Sequence, residues 1–386
     1  MFTPEEKKTL AGITFAVASR MLGLFLLLPV LSPYVKNLEG STPMLTGIAV
    51  GIYGLTQAVL QIPFGYMSDK FGRKPVITVG FLAYIVGSVL GALATNVWSM
   101  IFARLVQGAG AISSAAVSLA ADLIREEVRT RAFAHIGASV GMVFALSITV
   151  APIIAGHLGV PFIFYLTAFL SSVAMLYILF LIKEPPKHSP QVLSLRDIPK
   201  VFKDRSQFML NLSVGVLHAL LVSIFTVVPI EMIHRYNFPK SEHWKVYLPV
   251  IIVSVALMVP STIIAERKGK IREVFLLGIF LISAGFLFHI FFRDFFGVVL
   301  LLLFYFVGFH FLEPIMPSLL TKLAPPESRG VSVGLYNTSQ FIGAFFGGAM
   351  GGMFLKLGIT YMLVFNFILS LLWLVFVFPW VLSVRR

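Results

Sequence analysis

Apolar residues run on for about the twenty positions that a bilayer-crossing helix needs, and charged residues gather in the short stretches between. The runs fall at 9–34, 44–67, 74–95, 98–123, 131–157, 159–182, 208–234, 244–265, 272–292, 295–321, 330–355 and 360–382. Within them the hydrophobicity is continuous. It does not alternate with period two, as the ~10-residue strands of a membrane barrel would. In lipid every backbone amide needs an internal partner, and a helix supplies one. The pattern predicts an all-α membrane protein of twelve transmembrane helices.

Composition agrees with this reading. Of 386 residues, 58% are hydrophobic and 12% are charged. A soluble domain carries ~25% charge, so a soluble globular protein is excluded. The net charge of +13 would point to nucleic acid in a soluble chain, but here position decides. With the N-terminus in the cytoplasm, the inner loops hold 22 of the 30 Lys and Arg residues and the outer loops hold 6. That asymmetry places both termini in the cytoplasm and accounts for the charge without a nucleic-acid partner. The opening MFTPEEKKTLAG leads into a retained first helix rather than a cleaved signal. There is no cysteine, so disulfides and thiolate metal sites are ruled out.

The longest polar stretch, 183–207, lies halfway along and begins KEPPKHSP, which cannot stay helical through its prolines. Within it, Ser194 to Arg205 sets Leu195, Ile198, Val201 and Phe202 on one side. That is the pattern of a short amphipathic surface helix, with a solvated linker as the alternative. Two echoes join the halves. Asp69-Lys70-Phe71-Gly72-Arg73-Lys74 matches Glu266-Arg267-Lys268-Gly269-Lys270 at an offset of 197, and His157-Leu158-Gly159 matches Lys356-Leu357-Gly358 at 199. The organisation expected is a six-helix bundle at 1–182, a cytoplasmic linker at 183–207 and a second, pseudo-symmetric six-helix bundle at 208–386. Parallel halves around a midplane cavity are a transporter architecture.

The strongest motif is GYMSDKFGRK, residues 65–74. Gly65 permits close helix approach, and Gly72 permits a sharp turn. Asp69 stands at the inner end of the second span, where a carboxylate can latch the halves against the positive dipole end of the eleventh span. This segment resembles the loop 2–3 signature of the major facilitator superfamily. Arg104-Leu105-Val106-Gln107-Gly108 resembles the RxxQG motif of twelve-span drug:proton antiporters. Ser147 to Gly156 resembles their fifth-span motif in degraded form, with Ala151-Pro152 and Ala155-Gly156 at the Gly-Pro and Gly-Gly positions. The segments SRMLGLFLLLPVL, GIYGLTQAVLQIPFG, EHWKVYLPV and YNTSQFIGAFFGGAMGG look most like the YajR-type branch of bacterial inner-membrane transporters. Several members of that branch carry a soluble domain after the twelfth span, which is not expected in this chain. The resemblance implies a charge relay of Asp69, Arg73 and Asp122, with Lys70 and Lys74 beside it, that stabilises one conformational state. It also implies close helix packing at Gly108 and Pro152.

Charges inside spans are functional candidates, because each costs ~2.5–3.5 kcal/mol at the bilayer centre. Arg20 lies midway along the first span, too deep to snorkel, and should face the cavity or a partner acid. Arg104 lies nearer an outer end, where snorkelling competes. Glu313 is the one acid well inside a span. It sits beside Pro314, expected to interrupt the helix, and a dry site should raise its pKa, as suits a proton carrier; a packing role is the alternative. His218 and His310 are weaker candidates for the same path, since a lone helical histidine is more often a packing residue. Gln107 joins this polar set. Glu231 stands too near an outer end to be assigned. Gly343, Gly347 and Gly351 form a small-residue stripe suited to a sliding helix interface.

No nucleotide-binding loop, nucleophile elbow or metal-ligand set is present, so no enzyme activity, metal or cofactor is expected. The drive available is a proton gradient, and one charge crossing ~100 mV yields ~2.3 kcal/mol. The reading is a monomeric secondary transporter of the bacterial inner membrane, exchanging protons for a small amphipathic molecule in efflux. Uptake by symport, uncoupled facilitation and a non-transporting sensor are the rivals.

Overall fold

The computed structural model describes residues 2–185, 198–325 and 329–383. The chain divides into two compact units, Met1–Leu193 and Ser194–Arg386. In the first unit the long helices are Pro4–Leu27, Pro43–Phe71, Arg73–Ala92, a fourth span in two pieces (Val97–Gly108 and Ser113–Leu123), Glu126–His157 and Val160–Leu181. In the second they are Arg205–His234, Trp244–Arg267, Ile271–Phe291, Phe295–Leu323, Arg329–Leu357 and Ile359–Ser383. Among the described residues, eleven of these twelve are long and apolar enough to cross a membrane. The exception, Arg329–Leu357, is 29 residues long. Its glycines and its Asn337-Thr338-Ser339-Gln340 segment dilute the apolar content without shortening the helix. Large apolar side chains such as Phe169, Phe180, Leu372 and Val375 are exposed along these helices. Such faces on helices long enough to span a bilayer are suited to lipid.

Local chemistry sets the ends. Thr3 and Glu6 form a reciprocal capping box ahead of Pro4, and side chains of Thr42, Asn96, Asp204 and Asp294 accept from amides of the helices they open. Each cap satisfies a donor that the first turn leaves without a helical partner. Gly72, at φ +107°, makes the tight turn between the second and third spans, a conformation that favours glycine.

Three expectations are corrected. The run 9–34 is not one helix: it stops at Leu27, and a short helix, Leu31–Lys36, follows. Pro29 lies in the break and lacks the amide that would continue the ladder. The run 98–123 is interrupted between Gly108 and Ser113. The tenth span, by contrast, is helical through both Pro314 and Pro317. Proline's fixed φ suits a helix, the loss is confined to one hydrogen bond per proline, and packed neighbours hold the backbone. In the linker, Ile198–Lys203 is helical, with Val201 buried and Phe202 exposed. Leu195 lies outside the described residues.

The glycine stripe of the eleventh span is spent inside its own unit. A Cβ on Gly343 or Gly347 would collide with the backbone at Gly215 or Ala219 of the seventh span, and one on Gly351 would lie 2.9 Å from Thr226 Cβ. The seventh span is the most enclosed helix of this unit, with 83% of its apolar window buried.

Candidate functional site

The turn after the second span gathers charge from four segments. Arg73 bonds Asp69 four residues back on the second span, Asp122 Oδ2 on the fourth at 2.8 Å and Ser68 Oγ at 3.0 Å. Arg73 therefore bridges the two acids of the expected relay. Two features here were not expected. Glu184 accepts from the backbone amides of Arg73 and Lys74 at 2.7 and 3.0 Å, capping the third span where its dipole is positive. Lys74 Nζ donates to the carbonyls of Leu179 and Ile182, at the end of the sixth span, at 2.8 and 2.6 Å. Lys70 lies over the Phe71 ring, and Gly65 is buried. Nearby, Glu6 accepts from Arg125 Nε at 2.8 Å and from its backbone amide at 3.2 Å. The Glu6 hydrogen bond raises the Arg125 guanidinium above its ordinary value, so this pair stays ionised.

A second cluster lies within the first unit. Arg20 is 1% exposed. Its Nη1 donates to Ser113 Oγ at 2.5 Å and its Nη2 to Tyr53 Oη at 3.1 Å. Arg104 is buried rather than snorkelled: it bonds Gln107 Oε1 and stacks over the Tyr53 ring at 4.7 Å. Gln107 passes the contact on to Ser88 Oγ at 2.9 Å, and Tyr84 Oη donates to the Arg20 carbonyl at 3.2 Å. Each arginine keeps a buried Nε with no partner. No carboxylate among the described residues pairs with either arginine, so the acid allowed for Arg20 in the sequence reading is replaced by neutral hydroxyls. Two guanidinium charges thus share one tyrosine, Tyr53, with no paired carboxylate among the described residues.

The break in the fourth span builds this cluster. Gly108 and Gly110 disfavour helix and admit close neighbours: a Cβ on Gly108 would lie 2.5 Å from Tyr53 O, and one on Gly110 would lie 2.8 Å from Tyr84 Cβ. The chain restarts at Ser113, the residue that Arg20 reaches. Irregular backbone at membrane depth occurs where protein buries it or where it lines a cavity, and in transporters such broken spans form substrate sites. Pro152 sits buried in the unbroken fifth-span helix.

In the second unit, Glu313 keeps a buried Oε2 without a hydrogen-bond partner. His218 Nδ1 lies 3.1 Å from Val214 O, and its Nε2 lies 2.8 Å from Gln340 Nε2. His310 Nδ1 meets Phe306 O at 2.8 Å.

Sequence reasoning did not join one pair. Glu231, left unassigned, is 6% exposed, and His289 is fully buried. Glu231 Oε2 lies 3.2 Å from His289 Nε2, and Arg235 Nη1 lies 3.4 Å from Oε1. They stand 58 residues apart, and no spacing rule joins them.

The Major Facilitator Superfamily profile matches residues 13–348 and, in a second alignment, 223–386. The chain is 38% identical to the inner membrane transport protein YajR of Escherichia coli strain K12 over 358 residues, 91% of this chain and 78% of that protein. It is 24% identical to multidrug resistance protein 2 of Bacillus subtilis strain 168, over 93% of this chain and 92% of that one. Among solved structures, a bacterial homologue of the human lysosomal transporter Spinster superimposes with a TM-score of 0.75 at 14% identity, covering 98% of this chain and 97% of that one.

Proposed function

We propose that this chain, which belongs to the Major Facilitator Superfamily and is a multi-pass secondary transporter, carries out proton-coupled export of a small amphipathic molecule bearing an anionic or zwitterionic group. The observation that carries this reading is the pair of buried guanidiniums, Arg20 and Arg104, beside the broken fourth span with no neutralising carboxylate. An unpaired buried charge is costly. It is tolerable where a ligand of opposite charge is the intended partner. The free Nε of each arginine is a donor that such a ligand can use once movement of the spans opens the site.

Glu313 supplies the second half of the proposal. A carboxyl inside a span with an unpartnered buried oxygen can take up a proton to become neutral, and returning it couples transport to the gradient. The Asp69–Arg73–Asp122 cluster is the conformational device: breaking it frees the end of the second span from the third and fourth. Export as the direction is supported by the distant relation to a multidrug resistance protein. The relation to an inner membrane protein and the 22-to-6 charge asymmetry support a bacterial inner-membrane location with both termini inside.

The test is a counterflow screen of labelled anions, zwitterions and cations with purified protein in proteoliposomes, run with and without a pH gradient. The proposal expects exchange of anionic or zwitterionic compounds and gradient-driven accumulation opposite to the proton flux. Exchange of cations alone contradicts the substrate class, and exchange unaffected by the gradient makes the chain a facilitator. Accumulation along the proton flux makes it a symporter, and ligand binding without flux makes it a sensor.

A further inference from the structure

We propose that Glu231 and His289 form a proton-binding site, in which the pair holds one proton more than an ionised carboxylate beside a neutral imidazole. It lies where the seventh and ninth spans end, and it is separate from the transport residues above.

Hydrogen bookkeeping on three atoms carries the argument. His289 Nδ1 lies 3.1 Å from the carbonyl oxygen of Phe292. A carbonyl can only accept, so Nδ1 must carry hydrogen. His289 Nε2 lies 3.2 Å from Glu231 Oε2. That contact also needs a hydrogen, on one atom or the other. A neutral imidazole has one hydrogen on nitrogen, and the Phe292 carbonyl has claimed it. The second hydrogen must therefore be an added proton, either on Nε2 opposite a carboxylate or on Oε2 opposite a neutral ring. Without it two lone pairs would face each other at 3.2 Å, too close to admit a water, with the carboxylate 4% and the ring 0% exposed.

The surroundings keep the proton in place. Arg235, one turn on from Glu231, approaches Oε1 at 3.4 Å, which favours the carboxylate-with-imidazolium form. Tyr236 Oη reaches the same oxygen at 3.5 Å and donates to Arg293 O at 3.0 Å. Burial first, and then the charge of Glu231, pushes the Tyr236 phenol up to about 12, so it remains a donor and supplies no proton. Several charged groups of these turns have partners of their own. Arg293 Nε donates to Ile290 O, Asp294 caps the Gly297 amide, and Lys245 pairs with Glu242. From the tenth span Gly297 lies against the ring, where a Cβ would come within 2.7 Å of Nδ1. Arg235 Nη2 also bonds Arg293 O at 3.0 Å, so the protonated pair is the buried part of a tie between the end of the seventh span and the turn from ninth to tenth. The proposal does not depend on substrate or on the direction of transport.

Nitrogen NMR of histidine-labelled protein in lipid nanodiscs, with infrared difference spectra of the carboxyl region, tests it at about pH 7.5, roughly one unit above the ordinary histidine value. His289→Gln assigns the ring signal. Glu231→Gln keeps the shape and lets an amide donate to Nε2, so the fold is retained while the extra proton is lost. The proposal expects a His289 ring protonated on both nitrogens that becomes singly protonated in Glu231→Gln. The tautomeric outcome, a neutral ring with a carboxylic C=O band that vanishes in Glu231→Gln, supports it equally. A neutral ring with no such band overturns it, as does a doubly protonated ring that persists in Glu231→Gln.

Discussion

Arg20 shows how far a single residue can be read. Its type and depth in an apolar run marked it as functional, because a charge at mid-membrane needs a reason. Its partners could not be read, since Ser113 and Tyr53 lie 93 and 33 residues away and neither is unusual in sequence. Replacing Arg20 by Gln removes charge-assisted donors worth ~1.5–3 kcal/mol each. The expected outcome is a ~10–100-fold rise in the half-saturation concentration for an anionic substrate, measured by concentration-dependent counterflow. Glu313→Gln keeps the shape but cannot exchange a proton. It should leave counterflow intact and abolish accumulation driven by a pH gradient; unchanged accumulation would give Glu313 a packing role. Glu231 was illegible for the opposite reason: its place near a helix end concealed that it is buried, and only the fold brings it to His289.

Between elements, the sequence marked helices well and their interruptions poorly. Pro29 broke a run that hydrophobicity alone made continuous, whereas Pro314 and Pro317 did not break theirs. The same residue type gives opposite results because neighbouring helices decide whether a lost hydrogen bond is tolerated. The break after Gly108 was hidden in a motif read for its packing. Two predictions belong to this scale. Glu184→Ala removes the cap on the third span and should cost ~0.5–2 kcal/mol, seen as faster amide exchange at Arg73 and Lys74 than in the parent. Gly343→Val drives a side chain into the Gly215 backbone and should cost at least ~1–3 kcal/mol of overpacking. A lowered melting temperature in detergent checks it, and the same change at the exposed Gly137, which has nothing within 4 Å, should be tolerated.

For the whole molecule, the all-helical fold and the family were legible because lipid leaves the backbone so few choices. The GYMSDKFGRK segment carries an arrangement of charges that a plain inner loop does not need. The substrate was not legible, since an amphipathic ligand is recognised by few polar groups in a mostly apolar site. Orientation is open to direct measurement. The chain has no cysteine, so single introduced cysteines report without background. Lys70→Cys should react with an impermeant maleimide only after cells are permeabilised, and Glu242→Cys should react in intact cells. The reverse labelling would invert the topology.

The central claim is that Arg20 and Arg104 at the broken span receive a negatively charged group. Counterflow of one labelled anionic amphiphile and one cationic amphiphile of similar size, compared between the parent and Arg20→Gln in matched proteoliposomes, tests it most directly. The account predicts anion exchange in the parent, at least ~10-fold weaker in the variant, and little cation exchange in either. Equal anion exchange by the two proteins, or exchange confined to the cation, would contradict it.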